Sequence, residues 1–137
     1  MQENNRTIAV VREWIGKAEN DLKNAAHTLK MGRDCPTDTV CFHAQQCVEK
    51  HLKAFLVSKE IDFPKTHDVE RLVALLPENI WLRLSVEEQR LLTSYATTSR
   101  YPGDYEPIHL DEARDALKIV LRVRREIRKI LPKKSIR

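Results

Sequence analysis

The sequence predicts an all-α protein, an antiparallel up-and-down four-helix bundle with a short extra helix, and three observations point there. Apolar residues recur at helical spacing over long stretches. Only 3 of the 137 residues are Gly, too few for the closely spaced turns of a sandwich or barrel. Charged residues make up 32% of the chain, as expected of helices that each keep one wet face.

Ile8, Val11, Ile15, Ala18, Leu22, Ala25 and Leu29 alternate three and four apart. That spacing forms one stripe and predicts a helix from about Arg6 to Met31. Gly32 stands where a helix terminates, and Pro36 suits the first turn of the next. From about Thr37 to Lys59, the residues Val40, Ala44, Cys47, Val48, His51, Leu52 and Phe55 converge on one face. Phe42, Gln46, Glu49 and Lys53 fall on the opposite face, the side expected to meet solvent or a partner. Phe42 is therefore the expected contact of a homodimer.

Ile61-Asp62-Phe63-Pro64 breaks the pattern as a loop. Thr66 is expected to cap a short helix carrying Val69, Leu72, Val73 and Leu76 and closed by Pro77. Ser85-Val86-Glu87-Glu88 is a capping box, and Leu84, Leu91, Leu92 and Tyr95 supply the apolar side of a helix ending near Thr98. Two prolines and a glycine make Ser99 to Pro107 a loop. The final helix starts near Leu110 with Asp111 and Glu112 in its first turn. Its buried stripe is Ala113, Ala116, Leu117, Val120, Val123, Ile127 and Ile130.

A chain of this length is expected to hold one domain over residues 1–137, with a basic tail over 131–137. No stretch approaches the roughly 20 apolar residues of a spanning helix, and the N-terminal segment has no signal-peptide pattern. Cys35, Cys41 and Cys47 are an odd number at no disulfide-framework spacing. A reducing cytoplasm with no membrane association is the expected setting. The net charge of +4 is unevenly placed. From Lys118 onward, nine cations face the single acid Glu126, giving +8, so residues 1–117 sum to −4. A basic last helix is an electrostatic footprint for a polyanion or an acidic partner, although cations there also complement the helix dipole.

Gly16, Gly32 and Gly103 lie too far apart for a phosphate loop, and GxSxG, HExxH and paired CxxC motifs are lacking. His43, Cys47 and His51 are successive i, i+4 positions, but His43 and His51 point about 80° apart around the helix. A shared metal would strain such ligands, so neither metal nor cofactor is expected, and His51 should be a buried, hydrogen-bonded histidine. The loop after the fourth helix gathers Arg100, Tyr101, Asp104 and Tyr105, with His109 further on. Its guanidinium is suited to hold a phosphate bidentately and its phenol rings to stack a base. Equally, the tyrosines could pack against helix ends while Arg100 makes a structural ion pair, and spacing alone leaves both open.

Three segments resemble signature segments of one family, in its order: Cys41-Phe42-His43-Ala44-Gln45-Gln46-Cys47-Val48-Glu49-Lys50-His51-Leu52-Lys53-Ala54, then Pro64-Lys65-Thr66-His67-Asp68-Val69, then Ser99-Arg100-Tyr101-Pro102. The chain resembles the HEPN domain (higher eukaryotes and prokaryotes nucleotide-binding) over nearly its whole length. The resemblance implies a bundle similar to the C-terminal domain of kanamycin nucleotidyltransferase, usually a homodimer. It also implies a partner, since many members are encoded beside a minimal nucleotidyltransferase as a toxin–antitoxin pair. In that arrangement the HEPN subunit is a metal-independent ribonuclease whose Arg steadies the phosphate and whose His, four to six residues on, is the general acid or base.

Arg100 matches the family's Arg. At the family's spacing stand Tyr105, Glu106 and Pro107, and the first histidine is His109, after eight intervening residues. Three readings follow. The first is a nucleotide- or RNA-binding protein using Arg100, Tyr101 and Tyr105, with His43, Lys50 and Lys53 as helpers. The second is a ribonuclease using Arg100 and His109. The third is a docking subunit that meets a nucleotidyltransferase through Phe42 and the basic last helix.

Overall fold

The computed structural model describes residues 4–97 and 106–136. Among these it is all-helical, with α1 (Asn5–Leu29), α2 (Thr37–Ser58), α3 (Val69–Val73), α4 (Val86–Thr97) and α5 (Leu110–Ile130), plus short 3-10 turns at Gly32–Asp34 and Lys133–Ser135. Among the described residues no helix is long and apolar enough to cross a membrane.

Local chemistry explains the boundaries. Asn4 Oδ1 accepts from the Thr7 amide at 2.7 Å and starts α1. The helix stops at Leu29 rather than Met31, and Gly32 follows with φ of 68°, the left-handed turn that glycine takes without steric cost. The Ser85 capping box forms as expected: Ser85 Oγ accepts from the Glu88 amide at 3.1 Å, and Glu88 Oε1 accepts from the Ser85 amide at 3.0 Å. The α3 cap is a correction. Asp68, not Thr66, accepts from the Arg71 amide, while Thr66 Oγ1 accepts from the Asp68 amide one step earlier. Because α3 begins only at Val69, Asp68 holds the position whose side chain reaches the exposed amides.

Chain directions alternate through α1, α2, α4 and α5: Arg12 and Glu19 of α1 meet Lys134 and Arg124 in reverse order, and further cross-links tie the helices together. Asp21 of α1 reaches both His43 and Lys50 of α2, Glu88 and Tyr95 of α4 reach Arg122 and Glu112 of α5, and Thr37 Oγ1 donates to the Ile108 carbonyl beside the start of α5. Helix α2 lies at the centre and packs on α1, α3, α4 and α5. Its Val40, Ala44, Cys47, Val48, Leu52, Phe55 and Leu56 are all fully buried.

Burial extends round α2 beyond the predicted stripe, which corrects the expected wet face. Phe42 is exposed at 41%, but Gln46 is half-buried, and Glu49 and Lys53 are only 3% and 7% exposed. Trp14 of α1, Phe63 and His67 cover that side, and a helical wheel cannot reveal such cover. The C-terminal segment is also docked. Arg12 donates twice to the Lys134 carbonyl, at 2.9 and 2.6 Å, and Leu131 and Ser135 are buried.

Replacing Phe55 by Ala is expected to cost about 3–5 kcal/mol of unfolding free energy, because the cavity forms inside the central helix's packing. Phe42→Ala should stay within about 0.5 kcal/mol in the monomer. Urea denaturation followed by circular dichroism measures both.

Candidate functional site

Polar residues of α2 are gathered into two clusters, one facing α1 through Asp21 and one facing the loop before α3 through His67. Asp21 is buried among the apolar residues of α1. Its Oδ1 accepts from His43 Nδ1 at 2.8 Å and its Oδ2 from Lys50 Nζ at 2.6 Å. One carboxylate thus grips two side chains two turns apart on the facing helix. The Phe42 ring sits edge-on to His43, with centroids 5.6 Å apart.

Glu49 is the centre of the second cluster. Its Oε1 accepts from Gln45 Nε2 at 2.9 Å and His67 Nδ1 at 2.8 Å, and its Oε2 accepts from Lys53 Nζ at 2.9 Å. Gln45 Nε2 also donates to the His67 carbonyl, and Gln46 Nε2 donates to Gln45 Oε1 at 2.6 Å. Burial alone would raise the Glu49 carboxyl, but hydrogen bonds from Lys53, Gln45 and His67 outweigh it and hold the group below the ordinary carboxylate value. The ammonium of Lys53 lies 5.5 Å from the Trp14 ring centroid and 5.8 Å from that of Phe63. Those rings take up part of the cost of burying it.

Beside these clusters a cleft of about 330 Å³ opens between the helices, lined by Glu13, Trp14, Lys17 and Lys50. It offers an indole face, two ammonium groups and a carboxylate.

His51 is buried as expected. Its Nδ1 donates to the Cys47 carbonyl at 2.8 Å, while Nε2 has no partner. Desolvation lowers its pKa, so the ring is neutral. Burial pushes the Cys47 thiol up, leaving it protonated and unreactive. His51 and His43 turn to separate partners, and among the described residues no group of three His, Cys, Asp or Glu side chains converges as a metal site would.

Of the sequence-predicted residues, His43, Lys50 and Lys53 lie along one side of α2. Lys53 stands 16 residues into the helix from Thr37, about 24 Å along the axis at 1.5 Å per residue. His109 is at the opposite end, the N-cap of α5 near Thr37, exposed and with its side chain unused as a cap. Arg100, Tyr101 and Tyr105 lie outside the described residues. The helices flanking that segment are joined by Tyr95, whose hydroxyl donates to Glu112 Oε2 at 2.6 Å.

Sequence reasoning missed Asp21, Trp14 and Lys17 and placed Glu49 in solvent. One signal was available: Asp21 lies three residues past Ala18 and four before Ala25, on the edge of an apolar stripe where an acid needs a partner.

The HEPN domain family matches residues 11–130. Among solved structures, the crystal structure of TT1696 from Thermus thermophilus is 26% identical, with a TM-score of 0.72 over 87% of this chain and 96% of that one. That of ST0689, an archaeal HEPN homologue, is also 26% identical, with a TM-score of 0.68 over 87% of this chain and 95% of that one. No curated protein sequence matches the chain.

Stability should fall with acid in two stages. His51 is held neutral with its pKa below the ordinary 6.5. The unfolded chain therefore takes up that proton first, and stability is lost as pH drops from about 6.5 toward the lower folded value. Glu49 has its folded pKa below 4.5, so its pairing stabilises fully above that pH and is lost as pH falls through the folded value. In urea titrations at successive pH values, His51→Gln should flatten the first stage and keep the second. Glu49→Gln should be destabilised at neutral pH by about 3–5 kcal/mol, because it leaves the buried Lys53 charge unpaired.

Proposed function

The chain belongs to the HEPN domain family, and from that premise we propose that it binds a nucleotide or RNA phosphate beside a minimal nucleotidyltransferase in a toxin–antitoxin-like pair. The observation that carries the reading is the cleft between α1 and α2. Its volume of about 330 Å³ suits a mononucleotide, with Trp14 offering a face for the base and Lys17 and Lys50 offering charge for phosphate. Of the three helix-two candidates, Lys50 is the better ligand, since Lys53 is sealed under two aromatic rings. His43 holds Asp21 and so orients Lys50. Arg100 supplies a second, bidentate phosphate contact, with Tyr101 and Tyr105 as stacking partners.

A ribonuclease reading keeps one support. His109 is exposed at the α5 N-cap with its imidazole unused by the cap, which leaves it available as acid or base. At the family's spacing Tyr105 stands instead, and a phenol with an ordinary pKa of about 10 is a poor base at neutral pH. Binding is therefore the main reading and cleavage the second. The homodimer and the nucleotidyltransferase contact are assigned to the Phe42 side of α2, the exposed aromatic on the central helix.

Arg100→Ala should abolish binding of AMP without moving the melting temperature. Lys17→Ala should weaken AMP about tenfold, a loss of about 1.4 kcal/mol. Isothermal titration reads both, and unchanged affinity in the two variants would overturn the reading. Growth arrest on expression, relieved by His109→Ala, would instead select the ribonuclease.

A further inference from the structure

We infer that a second surface, on the outer face of α5 and the adjoining 80–85 segment, is a track for single-stranded RNA. The inference rests on the RNA-binding reading above and concerns residues separate from the α1–α2 cleft. Lys118, Leu121, Arg122 and Arg125 follow i, i+3, i+4, i+7 spacing on α5, roughly opposite its buried stripe. Together with Arg83 they line an open groove of about 600 Å³.

The cations divide by partner. Arg122 is committed: Nη1 and Nη2 each donate to Glu88 at 2.9 Å, and Nη1 also donates to the Arg83 carbonyl. It therefore forms a fixed wall. Glu126 is taken by Lys129 at 2.8 Å, and Asp115 stands 3.9 Å from Lys118 in an exposed pair that solvent screens. Among the described residues neither the Arg83 nor the Arg125 guanidinium closes on a carboxylate, although both act electrostatically on Glu126, whose charge they share with Lys129. Those two groups and Lys118 are left to meet an anion.

An exposed aromatic, Trp81, lies two residues from Arg83 along the chain. Leu82 and Leu84 are buried and anchor the segment, while Trp81 and Arg83 face outward, two residues and at most about 7 Å of chain apart. Trp81 is 68% exposed, the most exposed large apolar side chain among the described residues, and Leu121 is exposed at 48% within the groove. Arg83 takes a φ of 58°, a left-handed conformation unfavourable for a non-glycine residue. The Arg122 bond to its carbonyl holds that bend against α5.

Guanidiniums beside an exposed indole match an unpaired strand. The phosphates meet the cations and a base stacks on the ring. An acidic peptide would leave the indole unused, and a duplex keeps its bases stacked away from it. The open groove also suits a strand passing through more than an enclosed small ligand.

The test uses the full chain and a fluorescent oligouridylate of on the order of ten nucleotides, with AMP as a separate probe. Trp81→Ala should weaken the oligonucleotide about tenfold and leave AMP unchanged. Arg83→Gly should also weaken it and lower the salt dependence by about 0.7 in slope per lost phosphate contact. Because glycine relaxes the left-handed bend, that variant should melt no lower than the parent. Wild-type oligonucleotide affinity in both variants would overturn the track, while loss of AMP binding in Arg100→Ala would keep the reading above intact. Failure of the parent to bind either probe would overturn both. Oligoglutamate that binds the parent as tightly as the oligonucleotide, with the same dependence on Trp81 and Arg83, would overturn the RNA assignment in favour of an acidic partner.

Discussion

Nearly every feature of this bundle depends on one constraint: α2 is buried on almost all sides, yet it carries Gln45, Glu49, His51 and Lys53 in its buried part. A buried charge without a partner is too costly to keep, and of these groups Gln45 and Glu49 dictate where the loop before α3 must lie, because both bond to His67. Glu49 requires Lys53 on its own helix and draws His67 in from the loop before α3. Lys50 and His43 converge on Asp21, which sets the register of α1 against α2. Polar pairing here specifies alignment, whereas the apolar stripes alone would tolerate a slide of one turn.

The same economy of charge governs α5. The basic C-terminal end looks like a polyanion surface, but much of it is used inside the molecule. Arg124 and Arg128 close on Glu19 of α1 at 2.7 and 3.0 Å, and Arg122 closes on Glu88 of α4. Burial would raise Glu19, and the Arg124 hydrogen bond together with the charges of Arg124 and Arg128 outweighs it, so the carboxylate stays ionised and the clamp holds. Acids from the negative part of the chain are thus neutralised by cations from its last helix. What remains outward on α5 is a narrower stripe, Lys118 and Arg125 with the neighbouring Arg83, while Lys133 and Lys134 are exposed in the segment beyond the helix. Net charge per segment therefore overstates the charge available to a ligand.

Helix order, the five segments and most of the core were legible because apolar periodicity follows directly from the 3.6-residue repeat. The Ser85 capping box was legible because its donors and acceptors lie within four residues of one another. The α3 cap was misread since Thr66 and Asp68 have equivalent capping chemistry, and only the helix start decides between them. Within the candidate site, His43 and Lys50 were legible as members of a quoted motif. Trp14, Lys17 and Asp21 were not, because their roles depend on which face of α1 meets α2. Arg100 and Tyr101 stand on the loop's chemistry and the family resemblance, and Tyr105 on the loop's chemistry alone.

The sequence by itself determined an all-helical bundle, the family it belongs to, and the absence of the HEPN histidine at its usual spacing from Arg100. These are one-dimensional properties, set by period, motif order and count. Only the tertiary structure decided that Glu49 and Lys53 lie beneath Trp14, Phe63 and His67, that most cations of the basic helix are already paired, and that Trp81 is exposed two residues from Arg83. Burial and pairing belong to residues far apart in the chain, and a charge at a surface position on a helical wheel becomes buried or free only when another element arrives to cover it.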